Sequence, residues 1–335
     1  MSDQFDLFGA PVPAPKKKGP PGPVVTDEDR DLAARLPPRL RLGTSSWSFP
    51  GWEGLVYDRP ASEQTLARHG LAAYAQNPLF RTVGVDRSHY QPLTAPQWQG
   101  LAAQVPGDFR FLVKAHEYCS LRRFPEHPRY GSRAGQDNLF FLDPHYARDE
   151  VVAPTVAGLG EKLGVLLFQF AAQDLRPIGG PEGFCDRLYA FLSELPGGLT
   201  YAVEVRDRRL MIPRLGEALA ASGTMPCLAF TNDLPDLEWQ YRSSPAPLAP
   251  VTVLRWLLRR GLSYREAQLR YGPFSRLVEP DEQTRQQAID ILLRHARPGF
   301  LILNNKAEGS SPESLRALAR QLVFHVEQRD STTTT

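Results

Sequence analysis

The feature that most constrains the fold of this chain is a series of eight short, β-prone segments spread evenly along it. Most of these segments are continuous apolar runs, which is typical of strands covered on both faces. They comprise residues 40–45, 82–86, 109–114, 164–169, 201–205, 226–231, 251–255 and 300–304. We therefore expect a parallel sheet that is buried beneath helices.

Between the apolar segments lie stretches in which apolar residues recur three and four positions apart, the spacing of an amphipathic helix. These stretches are residues 66–75, 151–163, 184–195, 210–221, 282–296 and 312–326. The alternation predicts an α/β fold with a single (β/α)8 barrel of the TIM type. A doubly wound open sheet is the main alternative. The third connection is a long polar loop over residues 116–145, and the sixth, after Thr231, has a weak helical signal.

The two ends of the chain differ in composition from this central part. Residues 1–38 are rich in proline and lysine, so we expect a disordered tail that is interrupted by a short helix near residues 27–36. The barrel is expected over residues 39–327 and a second disordered end over residues 328–335. No apolar run is long enough to cross a bilayer, so we expect no membrane partner. Three widely spaced cysteines and the lack of a signal peptide favour a cytoplasmic location.

Polar side chains are concentrated where the predicted strands end, which is where barrels of this type carry their active sites. The candidate catalytic residues are Lys114, Asp86, Glu204 and Arg206. The candidate substrate-binding residues are Trp47, His89, Tyr90, Gln169, Arg255, Asn304 and Asn305.

Glu204, Arg206 and Lys114 give the sharpest of these signals. Glu204 and Arg206 are two residues apart on a strand, so they point to the same side and can share a site or bridge to each other. In a site, Glu204 would act as acid or base while the arginine grips an anion. Lys114 ends an apolar strand, where it either reaches the rim or binds a phosphate or carboxylate.

The segments that carry these residues resemble the domain of unknown function 72 (YecE-like) family. The resembling stretches are GTSSWSFPGW, VDRSHY, FRFLVKA, LLFQF, YAVEVRD and LILNNKAEG, in the family's order and over about residues 40–325. The resemblance implies a TIM-type barrel with a pocket at its C-terminal face, and it implies no chemistry because the family's reaction is unassigned. The chain departs from the family pattern at Lys306, where the family has a histidine, and at Trp256 and Leu257, where it has His-Gly.

The sequence assigns no cofactor. Asp86, His89, His116 and Glu204 together could form a divalent-metal site, but the chain lacks HxH and HExxH spacings, so we assign no metal. No glycine-rich loop of the dinucleotide or P-loop type follows a strand, which argues against those two classes of nucleotide chemistry.

Two features point to nucleic acid. Arginines are dense in the third loop and after the seventh predicted strand, on the expected catalytic face, although the net charge is only +2. They are Arg122, Arg123, Arg129, Arg133, Arg255, Arg259, Arg260, Arg265 and Arg270. In addition, residues 4–8, QFDLF, resemble the bacterial sliding-clamp-binding pentapeptide, with Gln4, Leu7 and Phe8 as the partner-binding residues. The alternative for this pentapeptide is a staple that packs onto the barrel.

Three functional hypotheses follow. The first is an enzyme, a hydrolase or lyase, that processes nucleic acid or another phosphate-bearing substrate in DNA replication or repair. The second is a barrel that binds such a ligand without catalysis. The third, sugar or sugar-phosphate chemistry, rests on analogy with other barrels of this class.

Overall fold

Eight parallel strands close into a barrel in the computed structural model, which describes residues 19–333. Strands β1 to β8 are Leu40–Thr44, Thr82–Val85, Arg110–Lys114, Leu163–Phe170, Tyr201–Val205, Met225–Phe230, Thr252–Trp256 and Gly299–Leu303. Each strand pairs with its neighbours along the chain, and β1 pairs with β8 through Gly43 and Ile302. The predicted (β/α)8 barrel is therefore confirmed, and the open sheet is excluded.

Helices follow the strands and cover the outside of the barrel. Helices α1 to α12 are Asp27–Arg35, Glu63–Tyr74, Arg87–Tyr90, Ala95–Ala102, Pro144–Tyr146, Ala153–Leu159, Gly180–Ser193, Pro213–Ala221, Leu237–Arg242, Tyr264–Tyr271, Glu282–Arg294 and Ser311–Thr333. A π-helical segment, Ala147–Val152, joins α5 to α6. None of the helices in residues 19–333 is both long and apolar enough to span a membrane.

The sixth crossover contains α9, whose helical signal in the sequence is weak. Asp236 caps this helix by accepting a hydrogen bond from the backbone N–H of Trp239. Buried Gln240 bonds to both the N–H and the carbonyl of Ala229 in β6. A polar residue thus occupies a buried position of α9, which hides the apolar period that would have marked the helix in the sequence.

Residues 27–35 form α1, where the sequence leads us to expect a short helix, and α12 extends to Thr333, beyond the expected barrel limit at residue 327. A buried ion pair, in which the Arg316 guanidinium lies 2.8 Å from the Asp29 carboxylate, holds α1 against α12. Asn77 also donates to Asp29, so α1 is attached to α12 and to the turn before β2. Residues 4–8, with the clamp-like pentapeptide, lie outside the described residues.

Side chains on the strands alternate between two cores. One set points toward the helices, as Leu42, Val83, Phe168 and Val203 do. The other set forms a small apolar cluster from β3 to β8 that fills the barrel interior: Leu112, Val165, Leu167, Ala202, Met225, Cys227, Val253, Phe300 and Ile302. Two residues further along each of these strands, the next inward position lies at the C-terminal end of the barrel.

Candidate functional site

A layer of mostly polar side chains closes the C-terminal end of the barrel, and we call it the mouth layer. Seven of the eight strands contribute an inward polar residue at or just beyond their ends, whereas β6 contributes Ala229. The seven are Ser45, Asp86, Lys114, Gln169, Glu204, Arg255 and Asn304. Register places Gln169 beside Glu204 and Ala229 beside Arg255, so residues distant in sequence meet here.

Glu204 lies at the centre of an ionic network in the mouth layer. Its two carboxylate oxygens bind Arg206 Nε at 2.6 Å and Arg255 Nη1 at 2.7 Å. Arg255 also reaches the Asp86 carboxylate across the barrel at 3.3 Å. Burial alone would raise the pKa of Glu204, but Arg255 and Arg206 outweigh it and lower the pKa to about 2. Glu204 is therefore ionised at neutral pH, with both oxygens engaged by arginines.

Lys114 differs from these residues because its side chain is largely buried while its ammonium has no partner among the described residues. The residue is 6% exposed, and within residues 19–333 no hydrogen bond or ion pair involves its Nζ. Burial, assisted by Arg255 and Arg206 and opposed by Asp86 and Glu204, lowers the pKa of Lys114 to about 8. About a tenth of this amine is consequently neutral at pH 7, and the neutral fraction rises with pH.

Two neutral histidines stand beside Lys114. The Nδ1 of His89 donates to the Ala115 carbonyl at 2.9 Å, which leaves Nε2 as an acceptor that faces Glu117 at 4.0 Å. Burial, with the Lys114 charge adding to it, lowers the pKa of His89 to about 3. His116 bonds to the Tyr146 hydroxyl at 2.6 Å, and burial lowers its pKa to about 4. Both rings are therefore uncharged at neutral pH.

Aromatic side chains at the rim behave in two ways. Trp47 is buried, and its indole N–H donates to the Leu66 carbonyl, so this ring covers the core. Tyr90 is 59% exposed, with the Arg129 guanidinium 5.1 Å from its ring centre, and Tyr264 is 44% exposed. Tyr264 interacts electrostatically with both Tyr90 and Arg206, so the two exposed rings flank the mouth layer.

The two asparagines after β8 have different partners. Asn304 donates to Ser45 at 2.9 Å inside the mouth layer. The side-chain oxygen of Asn305 accepts from Trp52 and from the backbone N–H and hydroxyl of Ser311, at the start of α12. Asn305 thus ties the β8 turn to α12. Buried Gln169, in contrast, has a side-chain oxygen with no partner among the described residues.

Six of the nine arginines in the two dense segments are paired with acidic side chains, whereas Arg133, Arg260 and Arg265 have no such pair among the described residues. In the third loop Arg122 and Arg123 bind Asp137, and Arg129 binds the buried carboxylate of Glu117. After β7, Arg255 is enclosed in the mouth layer, while Arg259 binds Asp281 and Arg270 binds Glu279. These pairs leave less free positive charge on this face than the arginine density predicts.

The four residues considered for a metal site are used by other protein groups. Asp86 and Glu204 both bind Arg255, while His89 bonds to a backbone carbonyl and His116 to Tyr146. In residues 19–333 no three His, Cys, Asp or Glu side chains are placed so that they could hold a metal ion.

Several residues of this region were not singled out from the sequence. Ser45 lies in the GTSSW stretch and Glu117 three residues after Lys114, so polar residues beyond a strand end were a usable signal for both. Tyr264 carries no such signal, because it reaches the rim only through the placement of α10.

Comparisons with known proteins agree with the fold. Residues 41–335 match the family described as "Protein of unknown function DUF72". A DUF72 family protein from Enterococcus faecalis is 15% identical, with a TM-score of 0.54 over 85% of this chain and 95% of that one. One from Thermotoga maritima is 17% identical, with a TM-score of 0.52 over 86% of this chain and 99% of that one. No curated protein matches the sequence significantly.

Proposed function

The chain belongs to the DUF72 family and has its barrel fold, and we propose that its mouth layer binds a small phosphate-bearing substrate. The observation that carries this proposal is that two cationic groups, Arg206 and Lys114, have N–H donors that no described residue accepts. Arg206 uses only Nε to bind Glu204, and its two terminal nitrogens have no partner among the described residues. The unpaired Lys114 ammonium faces the same network.

The charges of the mouth layer favour an anionic ligand. The mouth layer and the adjoining Arg206 hold three cations, Lys114, Arg206 and Arg255, and two carboxylates, Asp86 and Glu204. An arginine fork binds the oxygens of a phosphate with two parallel hydrogen bonds, and a lysine adds a point charge. Because the site is mostly buried, such donors act in a low dielectric and are already oriented.

The distribution of unpaired basic side chains favours a small substrate over a polymer. Binding along a nucleic-acid backbone needs a stripe of unpaired basic side chains. Here most loop arginines are bound to acidic groups, as Arg122 is to Asp137. Arg133, Arg260 and Arg265 have no acidic partner among the described residues but are exposed, whereas the free donors of Arg206 and Lys114 lie on more buried side chains, which suits one phosphate group better than a polymer. Exposed Tyr90 and Tyr264 offer stacking surfaces for a ring on the same substrate.

Nucleic acid is the second candidate, in a replication or repair context. Exposed aromatic side chains beside a cationic site can stack unpaired bases. The resemblance of residues 4–8 to a clamp-binding peptide independently favours this context, and we propose Gln4, Leu7 and Phe8 as contacts with a bacterial sliding clamp.

Titration calorimetry of the full-length chain with glycerol 3-phosphate, glycerol and a single-stranded oligonucleotide tests the proposal. We expect glycerol 3-phosphate to bind and glycerol not to bind. Arg206→Met should weaken phosphate binding by about 10- to 100-fold, because it removes a charge-assisted hydrogen-bond pair. Glu204 keeps Arg255 in this variant, so we expect the fold to be retained.

The matched control is Arg209→Met. Arg209 is on the same loop and binds Asp207 with its side chain 69% exposed, outside the mouth layer. The Arg209→Met variant should bind glycerol 3-phosphate with the same affinity as the unmodified chain. Equal affinity of the Arg206→Met variant and the unmodified chain would contradict the proposal, and binding of the oligonucleotide alone would favour the second candidate.

A further inference from the structure

Lysine is rare in this chain, and one of its lysines has an unusual position. Six of the 39 basic side chains are lysines, and three of these, Lys114, Lys162 and Lys306, lie in residues 19–333. Lys162 donates to the carbonyls of Ala102 and Val105, both at 2.7 Å. Lys306 lies over the rings of Tyr264 and Phe274. Of these three amines, only that of Lys114 has neither a hydrogen bond nor a cation–π contact within the described residues.

The position of Lys114 suits an amine better than a guanidinium. A guanidinium stays charged under all ordinary conditions, and it would only add a further cation beside Arg206 and Arg255. An amine that is buried in a barrel mouth next to two arginines can lose its proton, and the neutral form is a nucleophile. Its strand, β3, fixes the side chain in the mouth layer instead of leaving it on a mobile surface.

We propose that the Lys114 amine is a nucleophile that forms an imine with a phosphate-bearing aldehyde or ketone. The inference rests on the proposed function, because Arg206 is the group that would hold the phosphate and so bring the carbonyl carbon to Nζ. Lys114 faces charged and titratable groups from several elements: Asp86 after β2, His89 on α3, Glu117 after β3, Glu204 and Arg206 of β5 and its turn, and Arg255 on β7.

The reaction balances without an oxidant or a second reactant. The nitrogen lone pair forms a bond to the carbonyl carbon while the C=O π electrons move to oxygen. Nitrogen then loses a proton, the oxygen is protonated and leaves as water, and the C=N bond forms. Overall, an ammonium ion and a carbonyl compound give a protonated imine and one water molecule, with charge conserved.

Two carboxylates of the mouth layer differ in their suitability for moving these protons. Both oxygens of Glu204 are engaged by arginines, and the residue is fully buried. Asp86 is bound through one oxygen only, and its side chain is 38% exposed. Asp86 is therefore the group we assign to proton exchange with water, and Glu204 the group that positions the two arginines. The resulting cationic imine withdraws electrons from the neighbouring carbon, which is the basis of lyase chemistry.

Reductive trapping tests the inference. Full-length protein is incubated with D-glyceraldehyde 3-phosphate and sodium cyanoborohydride, which reduces imines to stable amines, and the labelled lysine is located by peptide mass spectrometry. We expect the label on Lys114 well before it appears on the other lysines, and we expect excess glycerol 3-phosphate to suppress it. Lys114→Arg keeps the charge and should abolish this label, whereas Lys162→Arg should leave it unchanged.

The outcomes separate the two proposals. Binding of glycerol 3-phosphate without any label on Lys114 would overturn the imine and leave the phosphate site standing. Equal labelling of Lys114 by D-glyceraldehyde, which lacks the phosphate, would leave the nucleophile standing and contradict the phosphate site. A label spread evenly over all six lysines would overturn the inference, because Lys114 would then have no special reactivity.

Discussion

A buried, unpaired ammonium costs the folded state free energy, because water solvates a charge better than a barrel interior does. The Lys114 residue is 6% exposed, and no ion pair among the described residues compensates its charge. Its presence at the strand end is therefore explained poorly by stability and better by a chemical role. Residues kept at a cost to stability are common in functional sites.

The cost of Lys114 can be measured through its dependence on pH. Lowering its pKa from 10.5 to about 8 by burial corresponds to about 3 kcal/mol at neutral pH, as an order of magnitude. Between about pH 8 and pH 10.5 the unfolded chain binds more protons at this residue than the folded chain does, so the free energy of unfolding rises with pH. Lys114→Met should raise the free energy of unfolding at pH 7 by about this amount, and the gain should shrink as the pH approaches 10. Urea unfolding at several pH values measures it, with Lys162→Met as the control. A destabilised Lys114→Met variant at pH 7 would contradict the expectation.

Glu204 has the opposite dependence on pH. Since its two arginine partners, working against burial, lower its pKa to about 2, the residue contributes stability above about pH 4.5 that is lost as the pH falls toward 2. Glu204→Gln leaves Arg255 buried with only Asp86, and we expect a loss of about 3–5 kcal/mol at pH 7. Thermal unfolding measures this loss. A fully stable Glu204→Gln variant would show that the network is not structural. That Glu204 acts as acid or base stays a prediction, and its double pairing favours a structural role.

At the scale of elements, the sequence predicts each strand to within one residue at either end. This accuracy has a local cause, because apolar runs covered on both faces are visible without knowing their partners. The contacts of the site are not local. Arg255 binds Glu204 from 51 residues away and Asp86 from 169 residues away, and only barrel closure brings them together. The strand ends could therefore be recognised as a candidate site, while the pairing that neutralises most of its charges could not.

Helices α1 and α12 offer a matched test of buried and exposed ion pairs. Asp29 and Arg316 are 0% and 6% exposed, whereas Glu28 and Arg320, which join the same two helices, are 47% and 49% exposed. Arg316→Met should cost about 3–5 kcal/mol because it leaves the Asp29 carboxylate buried without its cation. Arg320→Met should cost less than about 1 kcal/mol. Chemical denaturation of both variants measures the difference, and equal losses would show that burial does not decide the strength of these pairs.

At the scale of the whole molecule, the segment of residues 4–8 raises a question that the barrel does not answer. Three apolar side chains, Phe5, Leu7 and Phe8, are concentrated in a stretch otherwise rich in proline and lysine, which has little else to bury. Such a peptide gains most by docking into an apolar pocket of a partner. The alternative is a pocket on the barrel itself, and the two predict different effects of the same mutation.

Burial of Leu7 and Phe8 in a clamp pocket would contribute about 1.5–3 kcal/mol each before the cost of ordering the peptide, which suits a micromolar contact. We expect the full-length chain to bind a bacterial sliding clamp in surface plasmon resonance. The double change Leu7→Ala, Phe8→Ala should weaken binding at least about 10-fold, since each truncation removes most of one anchor. Val12→Ala, an apolar truncation outside the pentapeptide, is the control and should bind normally.

The melting temperature should be the same in all three proteins, because a segment that docks on a partner adds nothing to the barrel. Deletion of residues 1–18 that lowers the melting temperature by several degrees would instead show that the segment packs on the barrel, and the replication context would then lose its support.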